Sequence, residues 1–104
     1  MARREIKIEE YLAERVRFNG GECLKLDARG HRGRVDRIVA FPHHCTDEDC
    51  ILKYVIFCEV KTATGVIEPH QRREHERLRK RGNAVRIIRS YEDVDQLVDE
   101  FCLH

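Results

Sequence analysis

Apolar positions recur with helical spacing at the start of the chain, where Ile8, Leu12 and Val16 follow one another every fourth residue and "NGG" at 19–21 supplies a stop. The spacing predicts a helix from Arg4 to Phe18. With about 100° of turn per residue, Glu9 falls about 60° from the centre of that stripe and Glu10 about 160°, so only Glu9 borders the predicted core. The period then shortens to two. "ECLKLDA" alternates as a strand, "GHRG" is a flexible basic turn, and "RVDRIVAFP" is a second strand that Asp36 opens and Pro42 closes. After the polar loop "HHCTDEDC", "ILKYVIFCEVK" returns as a third strand. Past a turn at Thr62 to Gly65, Pro69 stands at a helix start and "HQRREHERLRKRG" runs to a glycine stop at Gly82, with Gln71, His75 and Leu78 sharing a face. "NAVRIIRS" reads as a short strand. Ser90 and Asp93 approximate a capping box for a last helix whose inner stripe is Val94, Leu97, Val98 and Phe101. The order α-β-β-β-α-β-α predicts an α/β fold in which a mixed sheet carries helices on both faces.

Composition narrows the class. A chain of 104 residues has room for one domain, 1–104, with a single modest core. Apolar content of 41% beside 38% charged residues predicts a folded rather than a disordered chain. The net charge of +1 hides an asymmetry: residues 29–37 hold four arginines against Asp36, whereas residues 91–104 carry five acids and no Lys or Arg. One side can attract phosphates although the total is near neutral. No apolar run approaches the roughly 20 residues needed to span a bilayer, and "MARREIK" lacks the apolar segment of a signal peptide. A cytoplasmic protein with no membrane partner is expected. The five cysteines show no framework spacing, which points to reduced thiols.

The chemistry concentrates in "VIFCEVKTATG", Val55 to Gly65. An apolar run of β-formers ends in Glu59 and Lys61, which lie two apart and so project from one face while Cys58 and Val60 project from the other. Asp36 precedes Glu59 by 23 residues, about what two antiparallel strands and their loop need to place both carboxylates on adjacent strand ends. Two acids sharing a desolvated site disfavour each other's ionised form, and a divalent cation removes the conflict. Oxygen-only ligands with open positions suit Mg²⁺, and the carbonyl of Val60 is a further candidate ligand. Lys61 beside the nucleophilic water can position it, favour its ionised form or neutralise charge developing on phosphorus. Gln71 can orient water or a ligand, and Glu9 can add a carboxylate from the first helix.

At these residues the chain resembles the VRR-NUC domain, a branch of the PD-(D/E)XK nuclease superfamily. "GGECLKL", "GRVDR", "FCEVKTATG", "HQRREHERLRKRG" and "VRIIRSYEDVDQLV" come in that family's order and spacing over nearly the whole length. The resemblance implies a restriction-endonuclease-like fold with Glu9, Asp36, Glu59, Lys61 and Gln71 as active-site residues, and it matches Lys25 to the lysine that follows a Gly-Gly pair. It implies a Mg²⁺-dependent, structure-selective DNA endonuclease, with Mn²⁺ as a substitute, cutting branched DNA such as Holliday junctions or flaps. Stand-alone members of this size resemble phage-encoded homodimers, which would act in the host cytoplasm. Two departures stand out: Val35 replaces the proline common before the aspartate, and "HHCTDEDC" is longer than the usual hairpin loop.

Other readings set the margin. Glu-x-Lys alone is a weak signal, since any amphipathic strand can carry it on a solvated face. Here it follows an apolar run, precedes a glycine turn and accompanies Asp36 and Gln71, which favours catalysis. Glu9 is weaker, because glutamates toward a helix start often serve only the helix dipole. Between 68 and 89, eight Lys/Arg face three glutamates, and with the arginines of 29–37 and Lys25 this makes Lys25, Arg32, Arg34, Arg37, Arg72 and Arg73 candidate DNA-phosphate contacts. His43, His44, Cys45 and Cys50 raise a zinc reading, but His43 to Cys45 are consecutive, a crowded arrangement for one tetrahedral ion, and no distant second pair completes a common pattern, so a flexible loop is favoured over a metal knuckle. The rival class is a non-catalytic nucleic-acid binding module. A protein-interaction role for the acidic last helix ranks below both, because it leaves Asp36, Glu59 and Lys61 unexplained.

Overall fold

The structure is a computed structural model that describes residues 3–26, 36–41 and 55–102. Helix α1 (Arg3–Phe18) stops as expected: Gly20 takes φ 83°, and the amides of Gly20 and Gly21 donate back to the carbonyls of Arg17 (3.0 Å) and Val16 (2.9 Å). Such bonds close a helix around a left-handed residue, a conformation that favours glycine. Gly21 is needed for a different reason. A Cβ there would lie 2.6 Å from the carbonyl oxygen of Ala40 and 2.9 Å from Val16, so the end of α1 meets the sheet with no room for a side chain.

Three strands follow, β1 (Glu22–Lys25), β2 (Arg37–Ala40) and β3 (Val55–Val60), then α2 (Pro69–Lys80), β4 (Ala84–Ile88) and α3 (Tyr91–Cys102). The described strands are shorter than the alternation predicts, and Asp36 stands one residue before β2. The sheet runs β1-β2-β3-β4, antiparallel for the first two pairings and parallel between β3 and β4. The parallel pair requires a crossover, and α2 provides it. This is the mixed sheet the pattern predicts.

Alternation along β3 sorts the layers. Ile56, Cys58 and Val60 are fully buried in one core with Ile8, Leu12 and Val16 of α1 and Val94, Leu97 and Val98 of α3. Glu59 projects from the opposite face, where Gln71 and His75 of α2 meet it. Helices therefore cover both faces. α1 and α3 are also joined at their polar margin, where the Tyr11 hydroxyl donates to Asp95 at 2.7 Å and Arg15 pairs with the same carboxylate at 3.5 Å. Arg32, Arg34 and the His43–Cys50 loop lie outside the described residues. Among the described residues no helix is long and apolar enough to cross a membrane.

Candidate active site

The register brings Asp36 to Glu59. Arg37 pairs with Cys58, and one step earlier the Asp36 amide donates to the Cys58 carbonyl at 3.1 Å. The Asp36 carboxylate then reaches across the strand end, where Oδ2 accepts the Val60 amide at 2.8 Å. One peptide further, the Lys61 amide donates to the Ile88 carbonyl of β4 at 2.9 Å. The carbonyl of a trans peptide points away from its own N–H, so the Val60 carbonyl is directed away from β4, toward the side that holds Asp36. That is the direction a ligand role requires.

Glu59 is 1% exposed and held at both oxygens. Gln71 Nε2 donates to Oε2 at 3.4 Å, and His75 Nε2 lies 3.3 Å from Oε1. Gln71 sits in the first turn of α2, whose capping box it completes by accepting the Glu68 amide at 2.8 Å. Burial, followed by the hydrogen bond and negative charge of Asp36, pushes the Glu59 carboxyl up to about 9, while Lys61 opposes the rise. A raised carboxyl beside a second acid is the conflict the sequence predicts.

From the other side of the sheet end, α1 contributes two acids. Ligand oxygens of Glu5, Glu9 and Asp36 all lie within 4.8 Å of one another. Glu9 is 6% exposed, and its Oε2 is 3.3 Å from Arg37, so that guanidinium is committed to an ion pair on the α1 face. Burial and the charge of Asp36 also raise the Glu5 carboxyl, and Lys61 again opposes, which places its ammonium near both Glu5 and Glu59. Among the described residues the group comprises four carboxyl groups and two cationic side chains, which leaves one formal negative charge while Glu59 keeps its proton and two once it gives the proton up. One divalent cation carries that charge. The clustered oxygens of Glu5, Glu9 and Asp36 are hard donors that suit such an ion, and the Val60 carbonyl is directed to the same side, whereas Glu59 lies outside that three-carboxylate cluster and is held by Gln71 and His75.

Of the predicted residues, Glu9, Asp36, Glu59, Lys61 and Gln71 thus meet around one strand end. Lys25, Arg72 and Arg73 are exposed on the surface, whereas Arg37 is drawn inward by Glu9. Two participants go beyond the sequence reading. Glu5 lies one helical turn before Glu9, and its i, i+4 spacing was a usable signal. His75 shares a face with Gln71, yet periodicity says nothing of what that face meets. Burial, then the positive charge of Arg79, lowers the His75 pKa, so a neutral imidazole faces the carboxyl group. Groups that hold a ligand's second oxygen set its orientation. His75→Phe keeps the ring volume without the nitrogen, and about a 10- to 100-fold rise in the Mg²⁺ concentration needed for half-maximal cleavage is expected. His75→Gln, which returns an amide able to donate or accept at that place, should recover most of it in the same titration.

No family model matches the chain. It is 37% identical over 87 residues to the protein named "Putative nuclease p44" of Acyrthosiphon pisum secondary endosymbiont phage 1, an alignment covering 84% of each chain. A solved structure described as "VRR_NUC domain" is similar with a TM-score of 0.79 and 35% identity, covering 96% of this chain and 99% of that one.

Proposed function

The chain belongs to the VRR-NUC domain nucleases, and from that premise we propose that it is a Mg²⁺-dependent, structure-selective endonuclease of branched DNA, acting as a homodimer. The observation that carries the reading is the meeting of Asp36, Glu59 and Lys61, from two separate segments, at one strand end with an uncompensated negative charge. Mg²⁺ bound there supplies Lewis-acid polarisation of the phosphoryl group and acidifies water.

The chain's own groups do the positioning. Val60 N–H aims the Asp36 carboxylate, while Gln71 and His75 fix the Glu59 carboxylate. Lys61, anchored through its amide to Ile88, orients the attacking water and neutralises charge developing on the scissile phosphate. Attack in line forms a P–O bond to water and breaks the bond to the 3′ oxygen, which takes up a proton. The products are a 5′-phosphate and a 3′-hydroxyl. Two active sites related by a two-fold axis suit the two symmetric strands of a junction.

The test is a panel of Holliday junctions, flaps, forks and linear duplex, incubated with Mg²⁺, Mn²⁺ or EDTA. Branched substrates should be cut at least about 10-fold faster than duplex, with no cutting in EDTA. A protein that binds junctions yet cuts nothing with either metal is a binding module, and the proposal fails.

A further inference from the structure

A groove of about 400 Å³ lies between α2 and the end of β4, and three guanidinium groups, Arg72, Arg79 and Arg89, line it together with His75, Glu76 and Ile87. The fold assembles them. Arg72 and Arg79 are seven residues apart, two turns of α2, and so share a face, while Arg89 follows the last residue of β4. Arg79 donates to the carbonyl of Val85 at 3.2 Å, and Arg89 donates to those of Thr62 (2.9 Å) and Gly65 (2.6 Å). These acceptors are neutral. They fix the direction of two guanidinium groups and leave their charge in place.

Among the described residues, Arg15, Arg37, Arg77 and Arg86 each pair with a carboxylate, whereas none of the three groove arginines does. Glu76 lines the groove but lies beyond ion-pair distance of them. Three converging positive charges repel one another unless an anion joins them, and a guanidinium presents paired N–H donors that match two oxygens of a phosphate. His75 connects this groove to the candidate site: its ring lines the groove and its Nε2 meets Glu59.

We propose that this groove is a phosphate subsite, holding a backbone phosphate next to the scissile one on the bound nucleic acid through Arg72, Arg79 and Arg89. The assignment rests on the nuclease reading for the identity of the strand. Holding that neighbouring phosphate fixes the register of the strand over Glu59 and Lys61, whatever its base sequence.

The test replaces single phosphates of a junction that the protein binds with uncharged methylphosphonates, one position at a time. Binding is measured in Ca²⁺ and cleavage in Mg²⁺, for wild type and Arg72→Gln. The Arg72 amide donates to the Glu68 carbonyl at 3.0 Å and is untouched by the exchange, while its side chain makes no hydrogen bond or ion pair among the described residues, so this change should leave thermal unfolding unaltered. In wild type, one position flanking the cut should lose about 10- to 100-fold in affinity and in kcat/KM. In Arg72→Gln the loss at that position should shrink to about 2-fold, while losses elsewhere persist. If every position responds alike in the two proteins, the subsite is overturned. The binding arm reads the groove even where no strand is cut, so failure of catalysis and failure of the subsite give different results.

Discussion

Glu59→Gln and Lys61→Ala should each lower Mg²⁺-dependent cleavage on the order of 10³-fold, while junction binding in Ca²⁺ or EDTA stays within about 2-fold of wild type. The Glu59 change is clean because of the group's own environment. Its carboxyl is pushed up to about 9, so near neutral pH and without metal Glu59 is uncharged, and glutamine is close to an isostere of that state. The exchange should leave the folded geometry unchanged. What disappears is the capacity to become a carboxylate when a cation arrives. Lys61→Ala removes a charge from the opposite side of the same reaction: the amide that pairs with Ile88 remains, and only the ammonium is lost. Single-turnover cleavage of the best substrate in the panel is the measurement. A variant retaining more than about a tenth of the wild-type rate places the chemistry elsewhere.

The second large effect is on stability. Glu59 holds its proton more tightly in the folded chain than in the unfolded one, where its value is near 4.5. The associated stabilisation is complete below pH 4.5 and is lost as the pH rises toward about 9, because over that window the native state binds more protons than the unfolded state. In EDTA the unfolding temperature should therefore fall across this range. Mg²⁺ should reverse the fall, and the gap between Mg²⁺ and EDTA should widen with pH as the competing proton is withdrawn. At a hundred times its dissociation constant, a bound ion stabilises by about 2.7 kcal/mol, on the order of 10 °C for a chain of this size. Glu59→Gln should flatten the EDTA curve and close the gap. Thermal unfolding followed by circular dichroism over pH 5 to 9, with and without Mg²⁺, checks both. A gap that is independent of pH would show the ion binding away from Glu59.

Where the periodicity is strong, the chain discloses its own architecture. Ile8, Leu12 and Val16 announce α1, and the same angular arithmetic separates buried Glu9 from exposed Glu10. The Glu-x-Lys pair is legible because two residues on one strand face are fixed by alternation alone. What depends on one layer meeting another is not legible. Glu5 reads as an ordinary first-turn acid until Asp36 is brought against it. Arg37 reads as one more basic residue of an arginine-rich segment, but its position opposite Cys58 turns it to the α1 face and into the ion pair with Glu9. His75 lies on the expected face of α2, and only the packing of that helix across β3 reveals Glu59 beneath it. The basic excess at 68–89 flags the region of the arginine groove but not the convergence of Arg72, Arg79 and Arg89, since Arg89 reaches it from a different element and is aimed by backbone carbonyls.

Gln71 makes the start of α2 and the floor of the reaction centre inseparable. Its oxygen closes the first helical turn on Glu68, and its nitrogen steadies Glu59. Asparagine is too short to span both. Glutamate preserves the oxygen but sets a third acid against the carboxyl group, and lysine preserves a donor while leaving the Glu68 amide unanswered. One primary amide of that length thus couples helix nucleation to ligand alignment, so fraying of this turn loosens the chemistry at the same moment.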